Sequence, residues 1–216
     1  MVLGSGLAGV TLAWVLAWMG YNRWFERPGV EDLPFLEGTR MTRSQPFTAA
    51  GEVDVWRLRA DGMIVATSQV DFPVWPEGAE SVLLVLPYPE ARVVRVRQDG
   101  VDLHWQMRAL LAIVAKLKPL PKGADRGPVV VEWELPLGVL SRNKRGYQVH
   151  LHALLPVVSY RLDLALDPDG PWQFQGDPTA SRKTLFSVKD TGGPPRLEFG
   201  SCGLGLVRRA RPVVVQ

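Results

Sequence analysis

The chain has 216 residues, 46% of them hydrophobic and 22% charged, with a net charge of +3. That balance excludes intrinsic disorder and leaves enough chain for one ordinary domain with a real core. The single cysteine, Cys202, excludes an internal disulfide framework and a cysteine-built metal cage. The mild basic excess is compatible with anionic lipid headgroups or nucleic acid but is far from a polybasic tail, and nucleic acid is not the expected partner.

Met1 to Asn22 carries no charged side chain and no histidine, and Arg23 is the first charge. At about 1.5 Å per residue, roughly 20 apolar residues cross a hydrocarbon core of ~30 Å, so the stretch predicts a transmembrane anchor helix over 1–22. Helical backbone satisfies its own hydrogen bonds, which makes Gly4, Gly6 and Gly9 tolerable there. Trp18, Tyr21 and Trp24 gather toward the charged end as an interfacial belt, with Arg23 and Arg27 on the flank that the positive-inside rule assigns to the cytoplasm. The expectation is a single-pass protein with its C-terminal domain on the cytoplasmic side, and a free Cys202 agrees. A cleaved signal peptide fits less well, because the stretch has no basic n-region and Trp18, Met19 and Tyr21 crowd the place for cleavage.

Gly4-Ser5-Gly6-Leu7-Ala8-Gly9 also fits G-x-G-x-x-G, and the run on through Gly20 to Glu26 resembles the opening of flavin-binding oxidoreductases. The resemblance implies a flavin or nicotinamide dinucleotide on the glycine loop, with Glu26 as its ribose-binding acid. Only Met1, Val2 and Leu3 precede the first glycine, too few for the strand that must aim the loop. Asn22 and Arg23 interrupt the second strand, and no βαβ repetition follows. The expectation is therefore no bound cofactor.

Pro28, Gly29, Pro34, Gly38 and Pro46 make 23–50 an extended connector. From residue 51 short strand-like runs alternate with turns. Val53 to Arg59 and Met63 to Val70 flank Ala60-Asp61-Gly62, a hairpin signal, and Asp99-Gly100 follows Arg92 to Gln98 with the same turn chemistry. Ser81 to Leu86 is a continuous apolar run. Gln106 to Lys118 reads as one amphipathic helix, because Met107, Leu110, Leu111, Val114 and Leu117 recur at helical spacing and Pro119 ends it. Val129 to Leu135, Tyr147 to Leu155, Val157 to Leu166 and four shorter runs complete the chain. The expected fold of 51–216 is mainly β: an antiparallel sandwich or barrel, jelly-roll-like in its strand spacing, with that one helix.

Candidate sites are sparse. His150 and His152 stand two apart on a strand, so both imidazoles point to one face and can reach one ion. The pair resembles the His-x-His of cupin barrels, which implies a metal-dependent β-barrel enzyme, but that family's following glutamate is missing. The simpler reading is a solvated strand face alternating with Val149 and Leu151. Glu132 and Glu134 are spaced alike and alternate with Val131 and Trp133, again as a solvated face rather than an acid–base pair. Asp167-Pro168-Asp169-Gly170 is a turn without the ligands of a calcium loop. Arg142 to Arg145 and Arg208-Arg209-Ala210-Arg211 are small basic clusters of ordinary surface. Trp75, in the extended Pro73-Val74-Trp75-Pro76, is the candidate anchor of a partner interface.

The sequence thus predicts a non-enzymatic, membrane-anchored scaffolding protein. Its partners are the lipid bilayer and a protein or lattice, in a bacterial envelope assembly or in a virion whose internal membrane faces a capsid, with self-association into an oligomer open. Metal and cofactor are expected to be absent.

Overall fold

Alternation of apolar and polar side chains builds almost everything that follows. The computed structural model describes residues 49–72, 80–109, 111–118, 127–144 and 146–209, which all belong to one compact unit, Thr42–Gln216. The strands are β1 (Ala49–Leu58), β2 (Met63–Asp71), β3 (Ser81–Val85), β4 (Arg92–Gln98), β5 (Val101–Asp102), β6 (Trp105–Ala109) and β7 (Ala112–Lys116). They continue as β8 (Val129–Pro136), β9 (Ser141–Asn143), β10 (Gly146–Leu166), β11 (Trp172–Phe174), β12 (Arg182–Val188), β13 (Arg196–Leu204) and β14 (Leu206–Arg208). The fold is mainly β, as expected, with a single 3-10 turn at Leu137–Val139 among the described residues.

Nine strands form the main sheet, in the order β12-β10-β1-β2-β8-β4-β5, with β9 and β13 joined to β10. A three-stranded sheet, β3-β7-β6, and a two-stranded one, β11-β14, complete the unit. One face of the main sheet is apolar because every second residue is: Trp56 and Leu58, Ile64 and Ala66, Val131, Trp133 and Leu135, Leu162 and Leu164 are all buried. They join Val82, Leu84 and Ile113 of the smaller sheet in one core cluster. Trp56 meets Trp133 edge-on at 5.7 Å and Tyr88 at 6.2 Å, and each such side chain contributes about 1.5–3 kcal/mol by leaving water.

The turns follow the sequence. Gly62 takes φ 84° in the β1–β2 hairpin, where Asp61 Oδ1 accepts the Met63 N–H at 3.0 Å. Asp99 and Gly100 both take positive φ between β4 and β5, as a tight hairpin turn requires.

Three expectations need correction. Gln106 to Lys118 is not a helix but the β6–β7 hairpin, with Met107 paired to Ile113 and Val114 paired to Leu83 of β3. A helix would bury Met107 with Val114, yet Met107 is 44% exposed, while Ile113, Val114 and Ala115 are buried in succession. A strand partner thirty residues upstream overrides a period that was coincidental. Second, the main sheet is mixed rather than antiparallel, because β1 runs parallel to the second half of β10, from Ala49↔Val157 to Leu58↔Leu166. Third, Tyr147 to Leu155 and Val157 to Leu166 are two halves of one 21-residue strand, β10. The anchor helix and the connector to residue 48 lie outside the described residues, and no helix among the described residues is long and apolar enough to cross a membrane.

Candidate functional site

The chemically loaded part of the molecule is a pair of acids inside it. On β1, Glu52 and Asp54 share a face with Trp56 and Leu58, so the strand drives both carboxyls into the core, where each is 1% exposed. Across the ladders Glu52 stands beside Val70 of β2 and Tyr160 of β10, and Asp54 beside Ser68 and Leu162. The Tyr160 hydroxyl donates to Asp54 Oδ2 at 2.6 Å. The Trp133 indole donates to Ser68 Oγ at 3.0 Å, and the Leu154 N–H donates to Glu52 Oε2 at 2.8 Å. Glu52 Oε1 and Asp54 Oδ1 meet no donor from elsewhere, and no cation pairs with either acid among the described residues.

Burial is the main force on the pair. It pushes Glu52 well above the ordinary carboxyl range, the charge of Asp54 adds to it, and the Leu154 N–H opposes it. Burial raises Asp54 to about 6 against the pull of Ser68, Tyr160 and Glu52. Their interaction raises Glu52 and lowers Asp54, so Glu52 is the acid that keeps a proton to higher pH. Tyr160 is pushed well above its usual value, first by burial and then by the two acids, and stays a donor. Two carboxyls so close cannot both ionise cheaply in a dry site.

The opposite face of the same sheet carries charges that are paired. Arg97 bonds Glu132, and Arg92 bonds Glu134, both across β4–β8. At the other flank Asp163 accepts from Arg182 at 2.7 Å, from Arg161 at 3.0 Å and from Thr184 at 2.6 Å. Burial would raise Asp163, but these bonds outweigh it and hold the carboxyl below its ordinary value. Between the flanks lie half-buried Val53, Val55, Val65 and Val130. A shallow groove of about 510 Å³ opens beside Arg57, Arg59, Ala165 and Pro168.

The residues singled out from the sequence are scattered. His150 is exposed and His152 half-buried, opposite buried Val149 and Leu151, as an amphipathic strand requires. Burial lowers His152, with Glu198 across β13 opposing. Among the described residues no group of three or more His, Cys, Asp or Glu gathers to hold a metal. Glu132 and Glu134 lie on the outer face, each in an ion pair. Among the described members of the basic clusters, Arg142 lies over the Tyr147 ring at 5.8 Å, Arg208 over Trp172 at 5.1 Å, and Arg209 donates to the Pro168 carbonyl. Asp167–Gly170 is a turn closed by a Gly170 N–H to Asp167 carbonyl bond of 3.0 Å. Cys202 is free and half-buried, its thiol pushed up by burial. Trp18, Tyr21, Arg23, Trp24, Arg27, the Gly4–Gly9 loop and Trp75 lie outside the described residues.

Sequence reasoning passed over Glu52 and Asp54, although a signal was present. In Glu52-Val53-Asp54-Val55-Trp56-Arg57-Leu58 the acids fall in phase with tryptophan and leucine, the face a strand buries.

The chain matches no family model and no curated protein sequence. Solved structures with a local likeness include an M1 zinc metallopeptidase from Deinococcus radiodurans, at 13% identity and TM-score 0.40, over 66% of this chain and 39% of that one. An aminopeptidase N family protein from Idiomarina loihiensis matches at 12% and 0.44, over 71% and 29%. Yeast LTA4 hydrolase in complex with bestatin matches at 11% and 0.41, over 73% and 31%. The chain thus spans well under half the length of these proteins, and likeness at this level carries no residue role or activity across.

Proposed function

We propose that this is a membrane-tethered scaffolding protein whose β domain docks a protein partner or lattice and catalyses nothing. The supporting observation is the outer face of the main sheet. Half-buried Val53 and Val55 stand together on β1, Val65 and Val130 lie on the same face among Arg57, Thr67 and Gln69, and the Arg92/Arg97–Glu134/Glu132 and Arg161/Arg182–Asp163 pairs flank them. A mixed apolar and polar centre between charged flanks suits a protein interface. The acid pair is sealed in the core at 1% exposure. The uncharged run Met1 to Asn22, with Arg23 and Arg27 beyond it, supplies the tether and places the domain on the cytoplasmic side of a cell envelope, or on the capsid side of a virion's internal membrane.

The test has two arms. The full-length protein stays in the membrane pellet after a carbonate wash, and deletion of residues 1–22 releases it; a full-length chain that is soluble without detergent contradicts the tether. Val55→Arg on the outer face abolishes the larger complex seen on native gels of gently solubilised membranes while the thermal midpoint moves little. An intact complex in that variant, or zinc-dependent release of amino acids from aminoacyl-nitroanilides by the wild type, contradicts the docking role.

A further inference from the structure

β10 is too long and too irregular to be held by its ladders alone. Its first half pairs with β9 and β13 and its second half with β1 and β12. β13 skips Ala153–Pro156, jumping from His152↔Glu198 to Val157↔Arg196, and among the described residues β1 pairs with β10 from Ala49↔Val157 onward. Ala153, Leu154 and Leu155 are nevertheless all buried. Their N–H groups cannot turn to water, and an unmet buried amide costs about 1–3 kcal/mol. Glu52 answers that need from the neighbouring strand, accepting the Leu154 N–H at 2.8 Å and drawing on the N–H of Leu155. The same carboxyl shares the buried face of β1 with Asp54, two residues on. One acid pair therefore fixes the break in the longest strand.

We propose that the proton shared by Glu52 and Asp54 is a latch on this break. With the proton in place, Glu52 stays seated against Leu154 and Leu155 and the two halves of β10 are held together. When it leaves, two like charges face each other in a sealed core. The repulsion is relieved by admitting water where β13 makes no ladder bond, at Ala153–Pro156, and the β9–β13 half loosens from the β1–β12 half. The device is closed in acid and opens toward alkaline pH.

The groups facing the pair support that direction. β1 brings only the two acids, β2 the Ser68 hydroxyl beside Val70, β8 the Trp133 indole through Ser68, and β10 the Tyr160 phenol. Beyond Tyr160 stands Tyr88, pushed up to about 12 by burial, whose own neighbours are Cys202 and His150. The smaller sheet adds apolar Val82, Leu84 and Ile113 to the core. At the break itself His152 faces Glu198, and burial holds this histidine below its ordinary value. A His152→Gln control therefore separates the acid pair from the imidazole.

Amide hydrogen exchange on the full-length chain reads the latch directly. Between pH 5 and the alkaline range in which Glu52 gives up its proton, after correction for intrinsic exchange, protection at Leu154 and Leu155 falls by about tenfold more than at Leu164, which is paired on both sides. Asp54→Asn removes the second charge and leaves Glu52 as acceptor, so the difference disappears. Glu52→Gln gives the same flat profile if it folds, and His152→Gln keeps the wild-type response. Equal behaviour of the three amides in the wild type overturns the proposal, as does a response that survives Asp54→Asn or vanishes in His152→Gln.

Discussion

Glu52/Asp54 and Glu132/Glu134 have the same spacing, two residues apart on a strand of one sheet, and opposite fates. Glu132 and Glu134 alternate with Val131, Trp133 and Leu135, so they leave the core and find Arg97 and Arg92 on the next strand. Glu52 and Asp54 fall in phase with Trp56 and Leu58, so they enter the core and find each other. On the outer face a carboxylate gains an arginine, at a worth of about 0–1 kcal/mol because water and salt screen the pair. On the inner face it loses its water and keeps a proton instead. Strand phase, rather than residue type or spacing, decides which acid is surface chemistry and which is a buried switch.

The comparison breaks most sharply under truncation. Glu52→Ala leaves the Leu154 amide unmet and opens a cavity, for a loss of about 2–4 kcal/mol in urea unfolding. Glu132→Ala costs about 1 kcal/mol or less by the same measurement. Similar losses for the two variants remove the distinction.

pH separates the faces next. Asp54 is raised to about 6, so the stability it contributes is complete below the unfolded value near 3.8 and is lost as pH rises through 6, by about 3 kcal/mol for a shift of this size. Glu52 acts in the same sense, and its loss continues to higher pH. Asp163 runs the other way: its carboxyl is lowered, so its contribution is present above the ordinary value and disappears as pH falls through the lowered one. Thermal midpoints therefore rise from pH 8 to pH 5 and fall again in strong acid. In Asp54→Asn the rise between pH 8 and pH 5 is flattened; an unchanged rise in that variant contradicts the assignment.

Little of this inner chemistry was legible beforehand, for definite reasons. Turns at Asp61-Gly62 and Asp99-Gly100 announce themselves, because positive φ demands those residues, and strands such as Val129–Pro136 declare a face by alternation. Local signals do not name distant partners. Nothing between Met107 and Leu117 says that Val114 will pair with Leu83, and nothing in β1 says that it will lie parallel to a strand a hundred residues away. The break in β10 shows in the sequence as Pro156, between the runs Tyr147 to Leu155 and Val157 to Leu166, and reads there as a strand end. Only the pairing of both halves within one sheet shows it to be an interior gap that Glu52 fills.

Salt gives the smallest effect. Raising NaCl from 0.1 to 1 M weakens the Arg92–Glu134 and Arg97–Glu132 pairs by about 0.5 kcal/mol together and leaves the sealed acids almost untouched. The salt dependence of stability should therefore shrink in Glu132→Gln and persist in Asp54→Asn, and the reverse pattern contradicts the assignment of faces.

The most direct measurement is a carbon-13 NMR titration of the side-chain carboxyls of Glu52 and Asp54 in the folded protein. The account predicts that Asp54 titrates near pH 6 and that Glu52 keeps its proton to higher pH, with both signals responding to the other's ionisation. Two independent titrations near pH 4, the range of exposed carboxyls, would contradict it.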